Sequence, residues 1–367
     1  MLRRSAAQCG VPATERRAGR LGVVRSREGI RRKPVGDIET FDDEMSKSPR
    51  SDVRVGRPEE SVRAVGARVL SVLGRQSWLD RPGYRLEHTL GFALAACGGA
   101  GERTSNLLHG TWLGHPLHPL VVALPTGAVA TTVALDVAAV LPGHQAGLRE
   151  ASRVSLGVGI VASLAAATTG LNDWQHTKEQ SRRVGLVHGT LNAVASALYV
   201  LSWSDRRRGR HVRGVAASAV GYGITAASGY LGASLVYRLG TGVDQSGSRW
   251  ESGQWTPLLA EEALEAGQPQ RVEAAGVGLV LLRDGDDVLA VGELCPHLGA
   301  PMVDGWMDRG LLVCPWHGSR FDPVTGQVVR GPATAPLPCY QTRILAGTIE
   351  VRPGKPTGLR AATGAGE

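Results

Sequence analysis

The residues in this chain best suited to chemistry are Cys295, His297, Cys314 and His317, written Cys-Pro-His at 295–297 and Cys-Pro-Trp-His at 314–317, with 16 residues between the two segments. Each segment offers one thiol and one imidazole. Two thiolates with two neutral imidazoles suit an iron-sulfur cluster, or Zn²⁺ in a tetrahedral site. The single residue inside Cys-x-His departs from common zinc spacings and favours the cluster. Cys339 lies in a β-patterned run and Cys97 in an apolar one, so both read as buried small hydrophobes. Five cysteines, odd in number and scattered through 367 residues, exclude a disulfide scaffold.

The pattern resembles the Rieske [2Fe-2S] family, and the resemblance covers about residues 255–353. It is carried by Cys-Pro-His-Leu-Gly-Ala-Pro at 295–301, by Cys-Pro-Trp-His-Gly-Ser-Arg-Phe-Asp at 314–322, and by Gly331-Pro332-Ala333 where the family has a third, proline-bearing loop. The resemblance implies that Cys295 and Cys314 bind the inner iron and His297 and His317 the outer one, with Ser319 and Pro332 completing the cofactor-binding set. Exchanging two thiolates for neutral histidines raises the potential of such centres, to roughly −150 to +300 mV. Two departures place the chain within the family. The quinol-oxidising members carry an extra disulfide-forming cysteine in each loop, where this chain has Ala300 and Trp316. Those members also use Ser and Tyr hydroxyls near the cluster; Ser319 matches the first, but Phe321 stands at the second. The resemblance is therefore to the ferredoxin type. About 14 residues follow Pro353, too few for the mononuclear iron domain of a terminal oxygenase.

These loops need a rigid frame. Short β-patterned runs supply it: Val277-Gly-Leu-Val-Leu-Leu, Val288-Leu-Ala-Val, Leu311-Leu-Val and Thr348-Ile-Glu-Val, with Asp284-Gly285 as a hairpin turn. The expected element is a small antiparallel all-β domain over 254–353, preceded by a Gly/Ser/Asp linker at 239–253.

Upstream, residues 119–141, 154–171, 186–203 and 214–237 are almost free of charge and long enough to span a bilayer, which predicts a four-helix transmembrane bundle within a membrane domain at 111–238. A soluble bundle would need a polar face on each helix, and here Ala, Gly, Val and Leu go all the way round. Small residues recur every fourth position, Ser155-Gly159-Ser163-Ala167 and Ala217-Gly221-Thr225-Gly229-Ala233, a ridge for close helix approach. Trp112, Trp174, Trp203 and Tyr237 mark the interfaces. The fold class is thus multidomain: an α-helical membrane bundle plus a small β domain, with amphipathic pieces at 61–110 as a lead-in.

The bundle carries histidines. Gly114-His-Pro-Leu-His-Pro119 opens the first span, Asn172-Asp-Trp174 closes the second, and His188 with Asn192 begins the third. With Asp136, Gly229-Tyr-Leu-Gly232 and Tyr237-Arg238, these residues resemble a bacterial four-helix membrane domain that recurs with the GHPLHP motif and brings no established activity. Alternating spans gather His115, His118, Asp173, His176 and His188 at the face where the β domain is attached. Ionisable groups near lipid are candidates for function, so His115, His118, Asp173 and His188 form a candidate membrane redox site. Helix capping, haem ligation, a quinone head-group pocket and another metal are the readings left open for it. His118 and His188 are its expected core.

Charge divides the chain the same way: 20 Lys+Arg against 13 Asp+Glu in residues 1–110, 10 against 5 in 111–237, and 11 against 15 in 238–367. The basic excess lacks interleaved aromatics, which argues against nucleic acid. Residues 1–60 and 354–367 read as disordered tails; no cleaved targeting peptide is expected, and Met45 is an alternative start. The expectation is a membrane-anchored one-electron carrier in the bacterial inner membrane, its β domain on the cytoplasmic side, serving a reductase or acceptor protein as one component of an oxidoreductase system. A quinol-linked oxidoreductase and a redox-sensing membrane protein are the alternatives.

Overall fold

The structure, a computed structural model, describes residues 58–143, 145–251 and 253–354. The tails expected over 1–60 and 354–367 fall outside these residues, apart from 58–60 and 354, as does Met45.

Four long helices form the bundle: α4 (His118–Ala138), α5 (Gln145–Trp174), α6 (Glu179–Arg207) and α7 (His211–Tyr237). They pack as two hairpins, α4 on α5 and α6 on α7, joined along α5 and α6. The small-residue ridges face neighbouring helices. Ser155 donates to the Ala128 carbonyl at 2.8 Å, and a Cβ on Gly221 would fall 2.7 Å from the Tyr199 ring, so only glycine admits that approach. The shared core is small, built on Val129, Leu156, Ala195 and Tyr199. Outside it Val137, Val161 and Leu164 stand 67%, 69% and 67% exposed, an outer surface that suits lipid better than water.

Three of the four helices, α4, α5 and α6, are long and apolar enough to cross a membrane. The expected four-helix bundle stands, with α7 running back along α6 toward the end where the β domain attaches. The fourth helix, α7, has the length, but five glycines, three serines and three tyrosines in its 27 residues dilute its apolar content.

Before the bundle come α1 (Pro58–Gly74), α2 (Asp80–Ala96) and α3 (Gly98–His109). They cap one end of it through specific contacts. Leu70 joins Val184 and Leu231, Arg183 pairs with Asp80 at 2.7 Å, and Ser105 exchanges hydrogen bonds with Asn172, each at 3.1 Å. Cys97, expected in an apolar interior, is exposed, because α2 ends there and the chain turns into α3.

The β domain has a six-stranded antiparallel sheet in the order β1-β10-β9-β4-β3-β2 and a four-stranded one in the order β5-β6-β7-β8. The first holds β1 (Thr256–Ala260), β2 (Gln270–Ala274), β3 (Val277–Asp284), β4 (Asp287–Gly292), β9 (Cys339–Leu345) and β10 (Thr348–Arg352); the second holds β5 (Trp306–Asp308), β6 (Leu311–Val313), β7 (Arg320–Phe321) and β8 (Val328–Arg330). Asp284 pairs with Asp287 across the β3–β4 turn, where Gly285 takes φ +62°, the left-handed conformation that an Asp-Gly hairpin uses. Val280, Leu282, Leu289 and Val291 project from β3 and β4 into a core that also contains Cys295, Cys314 and Phe321. Both cysteines are therefore anchored in the best-packed part of the domain.

Candidate functional site

The two cysteine loops are the same turn used twice. Cys295 N–H donates to the Ala300 carbonyl and Cys314 N–H to the Ser319 carbonyl, five residues on in each case and both at 2.8 Å. Gly299 and Gly318, four residues after each cysteine, donate back to its carbonyl at 2.9 and 3.2 Å, and both take φ +69°. A glycine is needed at that point because a Cβ would strain the left-handed backbone. The loops differ only in where the imidazole sits, two residues after Cys295 and three after Cys314.

This geometry brings all four side chains together. The cysteines are buried, at 0% and 1% exposure, while the rings of His297 and His317 lie 5.0 Å apart at 83°. Backbone N–H groups of His297 and Leu298 point at the Cys295 sulfur, and those of Trp316 and His317 at the Cys314 sulfur. The two thiols also hydrogen-bond to each other. That bond and the N–H groups pull the Cys314 thiol down, while the Cys314 sulfur and burial push the Cys295 thiol upward. Burial, with His317 and Lys178 beside it, pulls His297 down to about 3; burial and Lys178 pull His317 down to about 4. Both imidazoles are neutral at physiological pH, the form that binds metal.

Among the described residues no three His, Cys, Asp or Glu side chains gather about one ion. A pair of thiols beside a pair of imidazoles instead matches two irons with two protein ligands each. Ser319 is fully buried, and its oxygen accepts from Ala333 N–H at 3.0 Å, which ties the second loop to the third. In that third loop Gly331 and Pro332 meet in a cis peptide.

The helical part of the chain completes the surroundings. Gly331 N–H donates to Asn106 Oδ1 at 2.9 Å, Arg330 reaches Glu102 at 3.5 Å, and His109 pairs with Asp173 at 2.8 Å. His109 is 2% exposed and its Nε2 has no hydrogen-bond partner. His176 lies between His109 and the loop histidines. Asp173 thus joins the site through His109, a residue the sequence reading passed over. Its signal was available: Glu102, Asn106 and His109 stand at i, i+4 and i+7, a polar stripe along one face of α3.

The other membrane histidines each hold a neighbouring backbone. His115 is exposed and donates to the Pro116 carbonyl at 3.0 Å. His118 donates from Nδ1 to Ala166 at 3.0 Å, and His188 from Nδ1 to Ser228 at 2.8 Å. Asn192 lies 3.2 Å from His188 Nε2, so both nitrogens of His188 are partnered. Asp136, deeper in the bundle, meets Arg206.

Two family models match the chain: a predicted membrane protein family (DUF2231) over residues 114–245, and the Rieske [2Fe-2S] domain over residues 254–341. The anthranilate 1,2-dioxygenase ferredoxin subunit of Burkholderia cepacia is 32% identical over 101 residues, which are 28% of this chain and 94% of that protein. This chain belongs to the Rieske [2Fe-2S] family. Apoptosis-inducing factor 3 of Homo sapiens is 38% identical over 92 residues, and there the Rieske likeness spans only 15% of the relative's length. Among solved structures, the ferredoxin of carbazole 1,9a-dioxygenase from Nocardioides aromaticivorans is 28% identical, covering 28% of this chain and 100% of that one, with a TM-score of 0.27. Between α7 and β1, Gln245 N–H donates to the Pro296 carbonyl at 2.8 Å, so the connecting segment itself braces the first cysteine loop.

Proposed function

We propose that this chain is a membrane-anchored one-electron carrier in which Cys295 and Cys314 hold the inner iron of a [2Fe-2S] cluster and His297 and His317 the outer. The observation that carries the reading is the repeated cysteine turn, which aims backbone N–H groups at both sulfurs and brings the two imidazole rings within 5.0 Å of each other. When bound, such a cluster supplies a one-electron couple. The chain's residues do the rest: the buried core excludes water from the sulfurs, Ser319 links the second and third loops, and the helical domain tethers the site to lipid. A reductase or acceptor protein is the partner that this role requires. A haem or quinone site built on His118 and His188 is disfavoured, since His188 already satisfies both of its nitrogens.

Potentiometric titration of the full chain, read by electron paramagnetic resonance, tests the reading: a single one-electron wave is expected. Phe321 is fully buried beside Cys295 and Cys314, so Phe321→Tyr places a hydroxyl near a cluster sulfur and stabilises the more negative reduced state. A differential of about 1 kcal/mol raises the potential by roughly 40 mV in a one-electron couple. Ser319→Ala moves it down. Shifts of opposite sign in both variants would reject this arrangement.

We also place the Rieske domain on the cytoplasmic side. The basic run at 206–210 between α6 and α7 weighs the other way under the positive-inside rule, but Arg206 turns into the bundle, with 2% of its side chain exposed, and leaves that loop with one cation fewer. Reporter fusions after Glu367 and within 204–213 decide the matter: an active periplasmic phosphatase at the C-terminus would reverse the assignment.

A further inference from the structure

Three imidazoles, not two, meet at the tip of the Rieske domain. His176, from the turn joining α5 to α6, sets its ring 6.1 Å from His297 and 5.9 Å from His317, edge-on to both. Behind it the His109 ring stands 5.2 Å away, fixed by Asp173. His109 also packs closely on the third loop, since a Cβ on Gly331 would fall 3.0 Å from its ring. His176 is thus wedged between a buried, anchored ring and the two loop histidines. Two residues later Lys178 sets its ammonium 4.2 Å over the Trp316 ring, beside His317. One turn of the helical domain therefore delivers both a bulky ring and a positive charge to the same edge of the site.

We propose that the α5–α6 turn is part of the cluster's surround, with His176 and Lys178 acting as positioning residues through which the helical domain sets the reduction potential. The inference rests on His297 and His317 being the outer-iron ligands. Reduction adds one electron, and hence one negative charge, to the site; any one-electron donor, such as dithionite in a titration, supplies it. Water beside that edge would stabilise the added charge, so a ring that excludes water holds the potential down. The Lys178 ammonium attracts the same charge and holds the potential up, less so at high salt. The two residues therefore oppose each other, and their replacements shift the potential in opposite directions.

The test uses the full chain in detergent as wild type, His176→Ala, His176→Gln and Lys178→Gln, with iron and labile sulfide measured before potentiometric titration. A wild-type chain without iron or sulfide overturns the ligand reading and this inference with it. With the cluster present, His176→Ala is expected to titrate above wild type, His176→Gln to return toward it, and Lys178→Gln to titrate below it by a margin that shrinks as salt is added. Unchanged potentials in His176→Ala and Lys178→Gln, at full iron content, overturn the inference alone. Should His176→Ala fail to hold iron, Lys178→Gln decides: its side chain is exposed and outside any core, and an unmoved potential there overturns the inference.

Discussion

Serine in place of Cys314 leaves the purified chain without its cluster: iron and labile sulfide fall to background and the reduced-state resonance signal disappears. The expectation follows from burial and acidity together. Cys314 is 1% exposed, and the Cys295 thiol and two backbone N–H groups pull its thiol downward, an environment that favours a thiolate. A serine hydroxyl stays protonated there and presents a harder, shorter donor. No neighbouring sulfur can substitute, since Cys97 is exposed at the end of α2 and Cys339 is held in a strand. Cys339 lies on β9 with its sulfur 3.5 Å from the Pro323 carbonyl and its thiol pushed up to about 12 by burial. Cys339→Ser is therefore expected to keep the full spectrum. Iron analysis and visible absorption of the two variants check both statements, and a Cys314→Ser protein with a full iron complement and an unaltered spectrum would defeat the ligand assignment.

The second large effect lies at the far end of the bundle. Arg206 on α6 meets Asp136 on α4 in a two-pronged ion pair, at 2.7 and 2.5 Å, and reaches Ser152 on α5 and Ser218 on α7, each at 2.9 Å. Four helices are joined at one guanidinium. Removing one partner of such a buried pair strands the other charge, at a cost of about 3–5 kcal/mol. Asp136→Leu is therefore expected to unfold at far lower denaturant than wild type, and Asp136→Leu combined with Arg206→Met to recover much of the loss, because neither charge then remains. Unfolding curves of the chain in mild detergent with increasing dodecyl sulfate measure this. Wild-type stability in Asp136→Leu would show that the pair contributes little.

How far each feature was legible in the sequence depends on whether its signal was local. The cysteine loops announce themselves through spacing, and the hairpin at Asp284-Gly285 through turn chemistry, because each is decided within a few residues. The ridge through Gly221 and Thr225 was legible too, since small residues at every fourth position have few uses other than close packing. His109 was not. It lies 67 positions from His176 and 188 from His297, and only the folding of α3 back onto α5 brings the rings together. The identity of the partner of Asp136 was hidden for the same reason: a pairing with another helix could be expected, but the match with Arg206 exists only in the packed bundle. The four-helix bundle was legible in its apolar runs, although Gly, Ser and Tyr dilute the apolar content of α7.

The covered edge of the Rieske domain bears on how the chain is made. With Asn106, Glu102 and His176 seated against the third loop and the two imidazoles, the docked form leaves little room for a carrier protein to hand over iron and sulfide. The repeated cysteine turns close through backbone hydrogen bonds that need no metal, so the loops can take their shape while the domain is still free of the bundle. A cofactor delivered before the β domain closes onto α3 would meet no such barrier.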